Sequence, residues 1–160
     1  MNGSLKFRIG GFDVEIDQSA LNLFETHRQT RFYHCEAGGQ LFGRAVGSRW
    51  KVARATGPGI GDRRFRFGFR PDRGREQREI NEYHALGFDY LGDWHTHPED
   101  VPRPSMRDLD SIGDIVRKST LELPGLLLCI IGRSPFPAGL WVSFHKPKES
   151  TPSSREAGAT

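Results

Sequence analysis

Apolar and charged residues alternate along Leu5-Lys6-Phe7-Arg8-Ile9 and again along Phe12-Asp13-Val14-Glu15-Ile16, with Gly10-Gly11 between them. A period of two marks a strand with one buried face, and a two-glycine connection marks a tight hairpin. Asp17 stands where a helix cap belongs. Ala20, Leu21, Leu23 and Phe24 supply the apolar side of a helix of about 11 residues, with His27 at its surface end. A glycine-rich strand begins at Gly38, Gly47-Ser48 reads as a turn, and Arg49 to Thr56 reads as the returning strand. Gly57 to Asp62 is a loop. Arg64-Phe65-Arg66-Phe67-Gly68-Phe69-Arg70 alternates strictly, which predicts one strand with three phenylalanines toward the core and Arg64, Arg66 and Arg70 on a solvated face. Asp72 to Leu86 predicts a helix whose stripe is Ile80, Tyr83 and Leu86, with His84 at the surface. Phe88 to His97 predicts a strand rich in aromatic residues. Ser105 to Lys118 predicts a helix with Met106, Leu109, Ile112, Ile115 and Val116 at its apolar positions. The unbroken apolar run from Leu126 to Gly132 predicts a central strand, and Leu140 to Phe144 a last one, followed by an exposed His145.

These elements make an α/β domain: a curved mixed sheet flanked by helices. A chain of 160 residues fits one such domain, taken as residues 1–146, with 36% hydrophobic and 27% charged residues. Residues 147–160 are rich in Ser, Pro, Lys and Glu, with nothing apolar larger than Ala, so they predict a flexible tail. No apolar run reaches the roughly 20 residues that span a bilayer, and the N-terminus lacks the apolar core of a signal peptide. Both point to a cytoplasmic protein. A net charge of +3 permits an acidic partner and does not require nucleic acid. Base stacking on the phenylalanines is argued against by their expected core-facing side. The two cysteines form no C-x-x-C pair. Cys129 reads as a core thiol, and Cys35, beside Glu36, as a residue near the chemistry without a nucleophile's partners.

The chemistry concentrates in Gly92 to Asp110, G-D-W-H-T-H-P-E-D-V-P-R-P-S-M-R-D-L-D. His95 and His97 are two apart, so on a strand their imidazoles share one face. Pro98 ends the strand. Ser105 is a good N-cap and Asp108 falls in the first turn, whose side chains point back toward the loop. Two imidazoles and a carboxylate can therefore converge and leave a fourth position open, the donor set of a catalytic zinc site. Taken alone, the same residues also fit two polar histidines beside an ordinary helix cap.

The longer pattern settles which reading to follow. H-x-H-P, five residues, then P-S-x-x-D resembles the motif of the JAB/JAMM/MPN zinc metallopeptidase family, and Glu36-Ala37-Gly38-Gly39-Gln40-Leu41-Phe42-Gly43 resembles its upstream E-x-G-G-x-L-x-G segment. The resemblance implies a cytidine-deaminase-like fold with the metal at the sheet edge. It implies one Zn²⁺ held by His95, His97 and Asp108, with Glu36 as general acid/base. Ser105 would donate to the oxyanion. The reaction is then hydrolysis of the amide after the C-terminus of a ubiquitin-like or conjugated protein. Gly38 and Gly39 would border a narrow channel beside an edge strand, and Arg64, Arg66 and Arg70 would dock the partner.

A short chain of this kind looks like the bacterial standalone JAB peptidases of ubiquitin-like conjugation and of CBASS antiphage operons. Its partner would there be a cGAS-like nucleotidyltransferase. Other branches remain open: a peptidase that processes sulfur carriers, a RadC-like protein, or an MPN scaffold without catalysis. A nucleoside deaminase is disfavoured because the P-C-x-x-C half of its signature is missing.

Overall fold

A computed structural model describes residues 3–119 and 122–147. The predicted tail from residue 148 onward lies outside the described residues. The elements run β1 (Leu5–Ile9), β2 (Phe12–Ile16), α1 (Gln18–Thr26), β3 (Gly38–Val46), β4 (Arg49–Ala55), β5 (Arg63–Phe65), β6 (Gly68–Arg70), α2 (Arg73–Ala85), β7 (Asp89–Thr96), α3 (Met106–Lys118), β8 (Leu126–Ile131) and β9 (Leu140–His145). Seven strands form one sheet in the order β1-β2-β4-β3-β7-β8-β9. It is mixed: β2/β4 and β7/β8 are parallel and the other pairs antiparallel. The sheet curls until its ends approach. Phe12 of β2, next to the β1 edge, and Phe144 of β9, the opposite edge, lie with ring centroids 4.6 Å apart and their planes tilted by 36°.

The curl divides the core in two. Val14, Ile16, Leu41, Trp50, Val52, Leu91 and Trp94 fill the concave side together with Ala20, Leu21 and Phe24 of α1. On the convex side, Ile112 and Val116 of α3 pack on Leu126, Leu128 and Ile130. The continuous apolar run of β8 follows directly. Leu127, Cys129 and Ile131 enter one core while Leu126, Leu128 and Ile130 enter the other, so both faces must be apolar.

Several expectations change in the structure. Arg64 to Arg70 is not one strand but a tight hairpin, β5 and β6, paired only with each other. Its phenylalanines do not reach the core: Phe65 is 55% and Phe67 73% exposed. Arg66 and Phe67 form the turn, and the alternation that looked like a strand spans both arms and the turn. In α2 the buried residue is Glu76, while Leu86 is exposed, because Tyr83 already fills the contact with the sheet by stacking on Phe42 at 4.2 Å. In α3, Met106 and Leu109 are exposed, since its first turn overhangs a cavity instead of the core. His27 is half-buried beside Trp94, and His145 is half-buried against the Ser143 hydroxyl at 2.8 Å. Cys129 is fully buried as expected.

Candidate metal centre

β7 carries the first two donors. It is an interior strand, with β3 on one side and β8 on the other, so the centre sits at a strand end, not along an edge strand. A bulge opposite Leu41/Phe42 shifts its register, and Gly92 adopts φ +146° with Leu127 packed where its side chain would be. The shift changes which residues face which side. Tyr90 lies on the convex core before it, while Leu91 and Trp94 both enter the concave core, leaving Asp93 and His95 in the convex-side cavity. His97 follows the strand end, and its N–H donates to Ile131 O at 2.9 Å.

α3 carries the third donor. The Ser105 hydroxyl accepts from the Asp108 N–H at 3.1 Å, and the Asp108 carboxylate accepts from the Ser105 N–H at 2.8 Å. This reciprocal capping box fixes the Asp108 carboxylate in the first turn, pointing back at β7.

The three side chains meet. His95 Nε2 and His97 Nε2 are 3.2 Å apart. His95 Nε2 lies 3.1 Å from Asp108 Oδ1, and His97 Nε2 lies 3.0 Å from Asp108 Oδ2. A tetrahedral ion with bonds of about 2.0–2.1 Å spaces its ligands roughly 3.3 Å apart, so these separations suit zinc. His97 Nδ1 lies 2.8 Å from Glu99 Oε1. That contact places a proton on Nδ1, and without a metal Nε2 carries the second proton, which bonds Asp108; a cation would take that proton's place. Two imidazoles turned edge to edge around a carboxylate are a donor set for a divalent cation.

The site opens into a cavity of about 670 Å³ lined by Glu36, His95, His97, Ser105, Asp108 and Phe67, among others. Glu36 lies in the segment leading into β3 and is 7% exposed. Burial pushes its carboxyl up to about 7, against the pull of His97. Burial would also raise Asp108, but hydrogen bonds from His95 and His97 outweigh it and hold that carboxyl far below the usual range. Burial works to lower His97, and its hydrogen bond to Asp108 raises it on balance.

The remaining predicted site residues behave differently. Gly38 and Gly39 pair with His95 and Trp94 of β7, so that side of β3 is occupied, and Gly39 lines the cavity. A Cβ on Gly39 would strike Thr56 O at 1.6 Å, and one on Gly38 would crowd Phe69 and Trp94 O, which gives both glycines a packing task. Arg64, Arg66 and Arg70 do not share a strand face. Arg64 Nε donates to Glu36 O at 2.9 Å, the Arg66 guanidinium donates to the carbonyls of Arg31 and Phe32, and Arg70 is exposed. Cys35 is half-buried and lies outside the donor cluster.

Several residues of the site escaped sequence reasoning. Glu99 was signalled only by being an acid two residues after a histidine. Buried Glu76 with half-buried Asp93 and Tyr90, beside the cavity, gave no signal, because the set comes from two elements. There the Tyr90 hydroxyl donates to Asp93 at 2.6 Å, and burial raises both carboxyls.

Comparison with known proteins agrees with this geometry. The family described as prokaryotic homologs of the JAB domain matches residues 18–144. A Pseudomonas aeruginosa protein named CD-NTase/cGAS isopeptidase is 36% identical over 124 residues, covering 76% of this chain and 78% of its own. A Sinorhizobium fredii protein named probable metalloprotease y4qB is 32% identical over 108 residues, covering 62% and 66%. The solution structure of DSY2949 from Desulfitobacterium hafniense has the same fold, with a TM-score of 0.57 at 20% identity, over 83% of this chain and 90% of that one. With the matched region running from α1 into β9, the chain belongs to the prokaryotic homologs of the JAB domain.

Proposed function

We propose that the protein is a zinc-dependent isopeptidase that releases a protein from a conjugate by hydrolysing the amide after its C-terminus. The observation that carries this reading is the convergence of His95, His97 and Asp108 in the same cavity as a buried carboxyl, Glu36. Zinc held by the three side chains would supply a Lewis acid that makes water nucleophilic near neutral pH. Glu36 would take a proton from the attacking water and return it to the departing amine. A carboxyl that titrates near 7 is suited to both transfers. The Ser105 hydroxyl lines the cavity and accepts from the Asp108 N–H, so its own proton is free to bond the oxyanion. Glu99 would hold the His97 ring.

The substrate follows from the cavity and the relatives. β6 pairs with no strand but β5 among the described residues, and Gly68 and Phe69 line the cavity wall. An extended tail can add along β6 and deliver its last residue to the metal. Arg63 and Arg70, with Phe65 and Phe67 on the exposed hairpin, would contact the partner. The relative's name supports a cGAS-like nucleotidyltransferase as the conjugated protein. A cytoplasmic location and a role in antiphage defence accompany that substrate.

The test is cleavage of a purified nucleotidyltransferase conjugate. The zinc-loaded chain should release the intact C-terminus, a chelator should stop it, and zinc should restore it. Cleavage that persists without metal, or no cleavage by the loaded chain, would refute the proposal.

A further inference from the structure

Glu36 has no rigid element beneath it; it lies in a connecting segment, four residues after the exposed Phe32. A proton-transfer carboxylate must nevertheless be held to a fraction of an ångström. Its backbone is tied on two sides. On one, the Glu36 N–H donates to Phe65 O at 2.7 Å, and Arg64 Nε donates to Glu36 O. On the other, both backbone polar groups of Ala37 end on Thr96. The Ala37 N–H donates to Thr96 Oγ1 at 3.0 Å, and the Thr96 N–H donates to Ala37 O at 2.8 Å. Thr96 is the residue between the two histidines and is fully buried.

Gln29 joins the two sides. It is 1% exposed, at the start of the segment that follows α1. Its Oε1 accepts from Thr96 Oγ1 at 2.9 Å, and its Nε2 donates to Arg66 O at 2.9 Å and to His34 O at 3.2 Å. Arg66 O belongs to the turn between β5 and β6. A closed ring results: Glu36 and Ala37 to Thr96, Thr96 to Gln29, Gln29 to the hairpin turn, and the hairpin back to Glu36. The ring also serves the fold, since losing Gln29 or the Thr96 hydroxyl leaves backbone groups of His34, Arg66 or Ala37 unpaired. What the polar ring adds is direction, since each bond fixes an angle as well as a distance.

We propose that Gln29 and Thr96 are positioning residues, which lock the Glu36 segment to the metal strand and to the β5–β6 hairpin so that the carboxyl stays aimed at the reacting water. Neither residue touches substrate or metal. The role rests on the reading of Glu36 as the proton-transfer group.

The test uses the full zinc-loaded chain with Gln29→Met, Thr96→Val and Thr96→Ser, plus Gln29→Asn as a milder change in case Gln29→Met does not fold. Three quantities are measured: bound zinc, steady-state cleavage of the conjugate, and amide hydrogen exchange. Gln29→Met and Thr96→Val should keep the zinc and lower kcat by about 10–100-fold, as expected for a displaced catalytic group. For Thr96→Val, which leaves the Gln29 contacts to the hairpin in place, KM should stay within about threefold. Thr96→Ser, which keeps the hydroxyl, should restore most of kcat. Gln29→Met should also speed exchange of the Ala37 and Glu36 amides by at least about tenfold, although Gln29 touches neither.

Unchanged exchange at those amides in the folded Gln29 variant, or kcat within about twofold of the parent in both Gln29→Met and Thr96→Val, would overturn the proposal. A kcat loss that merely follows zinc loss would overturn it as well. If the parent chain fails to cleave the conjugate, the isopeptidase reading falls, and the exchange measurement still decides whether the ring locks this segment.

Discussion

Glu36 and Asp108 line one cavity and are pushed in opposite directions. Burial raises Glu36 to about 7, while hydrogen bonds from two imidazoles hold Asp108 low. Carboxyls whose environments separate them in this way suit different tasks, and the proposed division gives proton transfer to Glu36 and the cation to Asp108. Glu36→Gln should therefore keep zinc and lower hydrolysis by about 10²–10⁴-fold, whereas His95→Ala or His97→Ala should lose zinc as well as activity. Metal analysis beside turnover separates the two. Full zinc in either histidine variant would refute the assigned donors. Acid should act at the same place. His97 in the metal-free protein holds its proton to a higher pH than an ordinary histidine, because of Asp108 and Glu99. Zinc must displace that proton, so apparent zinc affinity should fall as pH is lowered through this raised value, by about tenfold per pH unit for each proton displaced. Titration with a competing chelator at several pH values checks the slope. A flat profile would mean that His97 is already neutral.

At the scale of elements, α2 is unusual in burying a carboxyl. Glu76 is 4% exposed, with Arg73 donating to it at 3.0 Å and Asp93 nearby. Burial and Asp93 raise it, so the folded state keeps the proton longer than the unfolded chain does. Such a group contributes stability below the unfolded value of about 4.3 and loses it as pH rises through the folded value. Glu76→Gln should therefore gain on the parent in Tm between mildly acidic and mildly alkaline solution, read by thermal melts near pH 5 and near pH 8. An equal Tm difference at both would show that the carboxyl is ionised within the fold. The hairpin gives the contrasting case. Strict alternation from Arg64 to Arg70 is compatible with one strand or with two short arms around a turn, and periodicity alone does not separate them. Phe65 and Phe67 are exposed because the arms project over the cavity rather than joining the large sheet.

For the whole molecule, the hairpin and the overhanging first turn of α3 place Phe67 and Met106 on the cavity lining while leaving both well exposed. Exposed apolar residues beside a reactive centre are available to a protein partner. A full-length conjugate should consequently be cleaved with a higher kcat/KM than a short peptide carrying the same amide. Changing both Phe65 and Phe67 to Ser should reduce that advantage without changing zinc content. Equal kcat/KM for conjugate and peptide would show that nothing beyond the scissile bond is recognised.

The sequence by itself determined what depends on neighbours along the chain. Ser105 and Asp108 are three apart, so their mutual capping is local, and it aims the carboxylate at whatever precedes the helix. His95 and His97 share a face because two residues make one strand repeat. The unbroken apolar run of β8 announced a strand covered on both sides. Only the tertiary structure decided what depends on residues far apart. The bulge at Leu91 and Gly92 arises from pairing with β3 and selects which β7 side chains enter the cavity. β3 is interior because β7 returns beside it, which fills one side of the edge expected at Gly38. Glu76 meets Asp93, and Gln29 meets Thr96 across 67 positions, through packing that no local pattern encodes. Short-range geometry is written in spacing, whereas burial and long-range hydrogen bonds exist only once the sheet has curled around its core.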